Sequence, residues 1–150
     1  MSARSDVRFR EAHPGDAEAI ARLHADSWRR HYRGAYSDAY LDGDVVSDRL
    51  AVWTERLADD DRRCTILAEN DGLVGFANTY FDEDPTWGAL LDNLHVLANR
   101  KRQGIGTRLL AQTAQALVGR PQPSGLYLWV LEQNAEGQAF YAGSRRPARR

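Results

Sequence analysis

The residues best equipped for chemistry lie between Arg100 and Thr107. The cations Arg100, Lys101 and Arg102 lead into Gln103-Gly104-Ile105-Gly106-Thr107. Glycines here let a backbone approach a ligand closely. The amphipathic stretch that follows predicts a helix whose first N–H groups have no intrahelical acceptor and sit at the positive end of its dipole. The chemistry this suits is the binding of a phosphate or pyrophosphate; on the loop alone, a solvated basic turn is the other reading. A P-loop would need a Gly-Lys-Ser/Thr ending, which is missing, and a dinucleotide fingerprint would need a third glycine where Leu109 stands.

Other reactive side chains fall outside this turn. Asp92 and His95 lie on the apolar segment Leu90–Val96, where strict alternation predicts that they face opposite ways. His24, Trp28 and His31 share one helical stripe, with Tyr32 beside it. Asn134 and Tyr141 are seven residues apart, about two helical turns, so both can face one cleft. Cys64 has no neighbouring histidine in sequence and no nucleophilic role is assigned to it; no metal site is readable.

The elements that must position these groups follow from periodicity. Val7–Arg10 alternates as a first strand, and Pro14-Gly15-Asp16 starts a helix over 17–30 with Ile20, Leu23, Ser27 and Trp28 inward. A second helix has the stripe Val46, Leu50, Trp53 and Leu57, with Asp42 or Asp44 as its cap. Strands 65–69 and 73–80 join through Asn70-Asp71-Gly72, a hairpin signal. Strand 89–96 leads to the glycine turn and to a helix on which Ile105, Leu109, Leu110, Thr113, Ala114, Leu117 and Val118 form the apolar face. Gly119 and Pro121 stop it, Leu126–Leu131 is a further strand, and 135–142 a last helix. The order β-α-α-β-β-β-α-β-α predicts an α/β (α+β) mixed sheet with helices on both faces and a parallel pair across residues 89–131.

Composition narrows the class. At 150 residues, 43% hydrophobic and 27% charged, the chain suits one globular domain. A net charge of -1 argues against a nucleic-acid partner. A single cysteine, no hydrophobic leader and no membrane-length apolar run make the cytoplasm the expected location, with no membrane partner.

Leu91-Asp92-Asn93-Leu94-His95-Val96, followed by Lys101-x-x-Gly104-x-Gly106 opening a helix, resembles the acyl-CoA-binding motif of the GNAT superfamily of N-acetyltransferases. Leu128-Trp129-Val130, then Asn134 and Phe140-Tyr141, is similar to the second family motif. Ser27-Trp28-Arg29-x-x-Tyr32-Arg33-Gly34 and Tyr40-Leu41-Asp42 recur in one group of these enzymes. Lys101 stands where the family's loop usually begins with Arg or Gln.

The resemblance implies a GNAT-like acyl-CoA N-acyltransferase fold over residues 1–143, with 144–150 as an Arg-rich tail. It implies transfer of the acetyl group of acetyl-CoA to a primary amine by direct attack in a ternary complex. A non-catalytic acyl-CoA-binding module of the same fold is the alternative. Main-chain groups of Leu94, His95 and Val96 would meet the pantetheine arm, and the amides of Gln103, Gly104, Ile105, Gly106 and Thr107 the pyrophosphate, with Lys101 and Arg102 adding charge. Asn134 would hydrogen-bond the arm and Tyr141 would protonate the departing thiolate. The position most often acidic in relatives is Leu90 here, so Asp92 is the candidate base. Relatives continue into a C-terminal hairpin, whereas Ser144–Arg150 carries no strand pattern. The expectation is that this hairpin is missing, that Leu126–Leu131 is an apolar edge, and that a homodimer covers it.

Overall fold

A computed structural model describes residues 7–58, 61–84, 88–100, 103–118 and 126–128. Its elements are β1 (Arg8–Glu11), α1 (Ala17–His31), α2 (Asp38–Asp42), α3 (Val45–Leu57), β2 (Arg63–Glu69), β3 (Leu73–Asp84), β4 (Gly88–Val96), α4 (Ile105–Val118) and β5 (Leu126–Leu128). They form a five-stranded sheet in the order β1-β2-β3-β4-β5. The first four strands pair antiparallel, and β4 pairs parallel with β5 over Ala89–Leu91. The mixed sheet and the parallel pair are as the sequence predicts. The last helix expected at 135–142, the tail and the expected absence of a hairpin lie outside the described residues.

The β2–β3 turn forms where Asn70-Asp71-Gly72 predicts it. Asp71 (φ 54°) and Gly72 (φ 112°) take the left-handed region, and the Asn70 N–H donates to the Gly72 carbonyl at 2.9 Å.

Adjacent residues of β3 feed two separate cores. Ala77 joins Ile66, Leu91, Ile105 and Leu109 under α4, while Phe76 joins Ile20, Trp53, Leu57 and Leu67 under α1 and α3. Ile105 and Leu109 are essentially inaccessible, so the first turn of α4 is bolted to the sheet. Truncating either to alanine is expected to cost about 2–5 kcal/mol.

Three expected details shift. On α3 the inward stripe runs through Val45 and Trp53, while Leu50 is exposed, so Arg49 and Arg56 are the polar members of the half-buried flank. Asp44 holds the N-cap position without a side-chain cap bond, and Asp42 ends the additional short helix α2, capped by Ser37, whose Oγ accepts from Tyr40 N–H at 3.2 Å. On α4, Val118 faces outward. Trp53 and Leu57 on α3, and Ile105, Leu109, Leu110, Thr113 and Leu117 on α4, are inward as the pattern has it; pattern does not resolve a single flank position such as Leu50 or a helix-terminal one such as Val118.

No helix among the described residues is long and apolar enough to cross a membrane.

Candidate active site

The site is built where β4 changes partner. Its pairing with β5 is described only at Ala89–Leu91, whereas its other edge follows β3 as far as Val96. Leu97 N–H donates to the Val74 carbonyl at 2.9 Å. Antiparallel alternation then turns the main-chain groups of His95 towards β3, and those of Leu94 and Val96 towards the opposite edge. An extended arm laid along that edge would find the peptide groups of Leu94 and Val96.

Beyond Val96 the chain makes a 3-10 turn, Ala98–Arg100, and reaches α4 through Gln103 and Gly104. Gly104 has φ +79°, and apart from its chain neighbours no atom of the described residues lies within 4 Å of the position a Cβ would take. Arg108 N–H donates to the Gly104 carbonyl at 3.0 Å, so the amides of Ile105, Gly106 and Thr107 precede this first bond of the described helix. These features fit a pyrophosphate held by backbone. Lys101, Arg102, Asn134 and Tyr141 lie outside the described residues.

A bulge governs the side chains of β4. Asn78 pairs with Asn93 but Thr79 pairs with Leu91, which leaves Asp92 as the extra residue. Leu91 and Leu94 therefore both join the α4 core, and Asp92, Asn93 and His95 all reach the α1–α3 side. The alternation that set His95 opposite Asp92 is overturned by this single inserted residue. His95 is half-buried, with Nδ1 2.8 Å from Ser27 Oγ, and is not an interior histidine.

Around these residues the helices supply a polar and aromatic wall. Arg56 Nη1 lies 3.4 Å from Asp92 Oδ2 and donates to Asn93 Oδ1 at 3.0 Å. Desolvation raises the Asp92 carboxyl above the ordinary aspartate range, and the attraction of Arg56 opposes it. His24 is buried, and burial pushes its imidazole down to about 2, with like-charge repulsion from His95, Arg49 and Arg56 in the same direction. Trp53 Nε1–H donates to His24 Nδ1 at 2.9 Å. Trp28, which pattern alone would assign to the interior, is half-buried and stacks onward to Tyr32, Tyr36 and Tyr40 with ring centroids 5.0–5.9 Å apart.

The segment that follows α1 is fixed by its own charges. Gly34 takes φ +92°, Arg29 Nε donates to the Leu41 carbonyl at 2.7 Å, and Arg33 pairs with Asp42 at 2.6 Å. Sequence reasoning missed Arg49 and Arg56, and placed Ser27 and Asn93 in their segments without a role at the site. The available signals were the seven-residue spacing of the two arginines on α3 and the adjacency of Asn93 to Asp92.

A separate cavity of about 270 Å³, lined by Arg10, Glu11, Ile66, Gln112, Gln115 and Ala116, contains none of these residues. It lies against β1, β2 and the later turns of α4, so it is set apart from the site on geometry.

The sequence model of the Acetyltransferase (GNAT) family matches residues 18–143, and the chain belongs to that family. The uncharacterized N-acetyltransferase YuaI of Bacillus subtilis (strain 168) is 31% identical over 131 residues, covering 85% of this chain and 73% of that protein. The fold is shared with the PaiA N-acetyltransferase of Thermoplasma acidophilum, solved in complex with coenzyme A. The TM-score is 0.76 at 21% identity, over 95% of this chain and 88% of that one. It is shared too with the ribosomal-protein-alanine N-acetyltransferase of Brucella melitensis biovar Abortus 2308, with TM-score 0.70 at 22% identity over 95% and 93%. Acetyl-CoA is the acyl donor of this family.

Proposed function

We propose that the protein is an N-acetyltransferase that passes the acetyl group of acetyl-CoA to a primary amine by direct attack in a ternary complex. The observation that carries this reading is the continuity of the β4 edge at Leu94 and Val96 with the exposed amides that begin α4. A cofactor with an amide-rich arm and a pyrophosphate needs both surfaces, in that order. The amides of Gln103 to Thr107 take the pyrophosphate, Lys101 and Arg102 add charge, and Asn134 holds the arm.

Acetyl-CoA supplies an acetyl group already activated as a thioester. Asp92 takes a proton from the acceptor's ammonium group, leaving a nitrogen lone pair to attack the thioester carbonyl carbon. As the carbon–sulfur bond breaks, Tyr141 gives its phenolic proton to the thiolate, and the second proton shed by the attacking nitrogen as the amide forms restores the phenol through solvent; a phenol with a pKa of about 10 still holds its proton at neutral pH. The helices α1 and α3 wall the acceptor side, and His95 is assigned there through its ring. Residues 1–143 form the catalytic domain and 144–150 a tail. The protein works in the cytoplasm as a homodimer that covers β5, the last strand in the described sheet order; a monomer in light scattering at micromolar concentration would contradict the dimer.

The test of the activity is release of CoA thiol from acetyl-CoA across a panel of amines. Release that depends on the amine is expected. Binding of acetyl-CoA with no such release would make the chain an acyl-CoA-binding module.

A further inference from the structure

The His24 imidazole has more donors around it than it can accept. A neutral imidazole has one lone pair and one N–H. Yet Trp53 Nε1–H points at Nδ1 from 2.9 Å and Trp28 Nε1–H points at Nε2 from 3.2 Å. The shorter contact, between two buried side chains, claims Nδ1, so Nε2 carries the proton and meets Trp28 donor to donor. Asn93 Nδ2 is a third donor, 3.5 Å from the same nitrogen, while its Oδ1 is already used by Arg56. Turning the Asn93 amide over moves the excess to Arg56 and does not remove it.

The excess extends in both directions. Across the β3–β4 ladder from Asn93, Asn78 is fully buried and spends its Oδ1 on the Thr65 hydroxyl at 2.7 Å, while its Nδ2 has no acceptor among the described residues. On the other side Arg49 lies over the Trp28 ring, 4.5 Å from its centroid, with a buried Nε–H that likewise has no acceptor among the described residues. Two guanidinium groups, Arg49 and Arg56, thus stand beside a cluster of unspent N–H donors, and the nearby carboxylate Asp92 is already paired with Arg56. Buried donors without acceptors are costly, and an oxyanion satisfies several of them at once.

We propose that the corner formed by His24, Trp28, Asn93, Asn78 and Arg49 receives a carboxylate of the acceptor, so that the acceptor is an amino carboxylate rather than a simple amine. The inference rests on the acyl-transfer reading above. Trp28, half-buried, is the outer wall. One carboxylate oxygen displaces the 3.2 Å indole–imidazole contact and accepts from both N–H groups from the side, and the other faces Arg49. Because Asn93 follows Asp92 in the chain, a carboxylate held there keeps the acceptor's amine beside the base.

Two measurements on the full chain test this. In the first, CoA release is compared for amino acids, their carboxamides and the corresponding decarboxylated amines. The free carboxylate is expected to raise kcat/KM at least about tenfold, the size of one charged hydrogen bond, and Trp28→Phe or Arg49→Gln should erase the preference. Equal turnover of all three classes would overturn the receptor while leaving the enzyme reading intact. In the second, calorimetry with CoA-saturated protein compares an N-acetylated amino acid with its carboxamide. Tighter binding of the carboxylate, lost in Arg49→Gln, supports the receptor even if no acceptor turns over, in which case only the enzyme reading falls. Equal binding would overturn the receptor and leave a buried water as the occupant.

Discussion

The two sides of β4 are made of different materials. On the side towards α4, the groups a ligand would meet are peptide groups: the edge at Leu94 and Val96, which pairs with no further strand among the described residues, and the first amides of a helix that Ile105 and Leu109 bolt to the sheet. On the side towards α1 and α3 they are side chains, brought together from positions as far apart as Ser27 and His95, 68 residues away in the chain. A backbone surface tolerates change in most residues that display it, because the hydrogen bonds belong to the fold. A side-chain surface is specific to its residues, and so it is where the proposed function puts acceptor selectivity.

The widest separation of the two sides is expected from Tyr141→Phe. Turnover should fall about a thousandfold, within the usual range for loss of a general acid, while the dissociation constant of acetyl-CoA stays the same. Parallel loss of binding would move Tyr141 to the donor surface. Asp92→Asn should lower kcat/KM about a hundredfold at pH 7. That deficit should shrink as pH approaches the amine's own pKa of about 10, where the acceptor no longer needs a base. In the wild type the acid limb of the pH profile should lie above the ordinary aspartate value, because burial raises the Asp92 carboxyl. A deficit independent of pH would make Asp92 a partner of Arg56 and nothing more.

Gly104→Ala probes the backbone surface. The position requires φ +79° but has room for a methyl group, so the cost is conformational, about 1–2 kcal/mol. Acetyl-CoA binding should weaken about tenfold, with kcat at saturation little changed. A lowered kcat with unchanged binding would break the separation between the two sides.

The smallest effect is on stability. His24 is held neutral in the folded protein, with its pKa pushed down to about 2, whereas an unfolded histidine titrates near 6.5. The unfolded state therefore binds the extra proton first. The stability from a neutral His24 is fully present above about pH 6.5 and is lost progressively as pH falls below it. Between pH 7 and pH 5 the loss is about 2 kcal/mol, or roughly 4–8 °C in Tm. In His24→Gln that part of the acid slope should disappear; an unchanged slope would mean that His24 accepts a proton without cost.

The same difference in materials explains what could be read from the chain. The strand, the glycine turn and the periodic helix of the donor side are local in sequence, and the hairpin at Asn70-Asp71-Gly72 is too. They are found where pattern puts them, apart from the bulge in β4 and the exposed Val118 at the end of α4. The acceptor side was legible only as a list of aromatic and weakly basic residues. Its geometry depends on the bulge at Asp92, which has no signature in a single sequence and reverses the facing of His95. It depends also on Arg49 and Arg56, which an amphipathic pattern assigns to solvent. Lys101, Arg102, Asn134 and Tyr141 rest on motif alone, since they fall outside the described residues.

In the proposed function, one chain joins a backbone-built acetyl-CoA surface to a side-chain-built acceptor surface and transfers an acetyl group between them. The most direct test of this is the release of CoA thiol by the wild-type protein at saturating acetyl-CoA, with and without an amine bearing a carboxylate. Release should rise and saturate with the amine, with one N-acetylated product formed per thiol. Release unaffected by any amine, from a protein that binds acetyl-CoA, would contradict it.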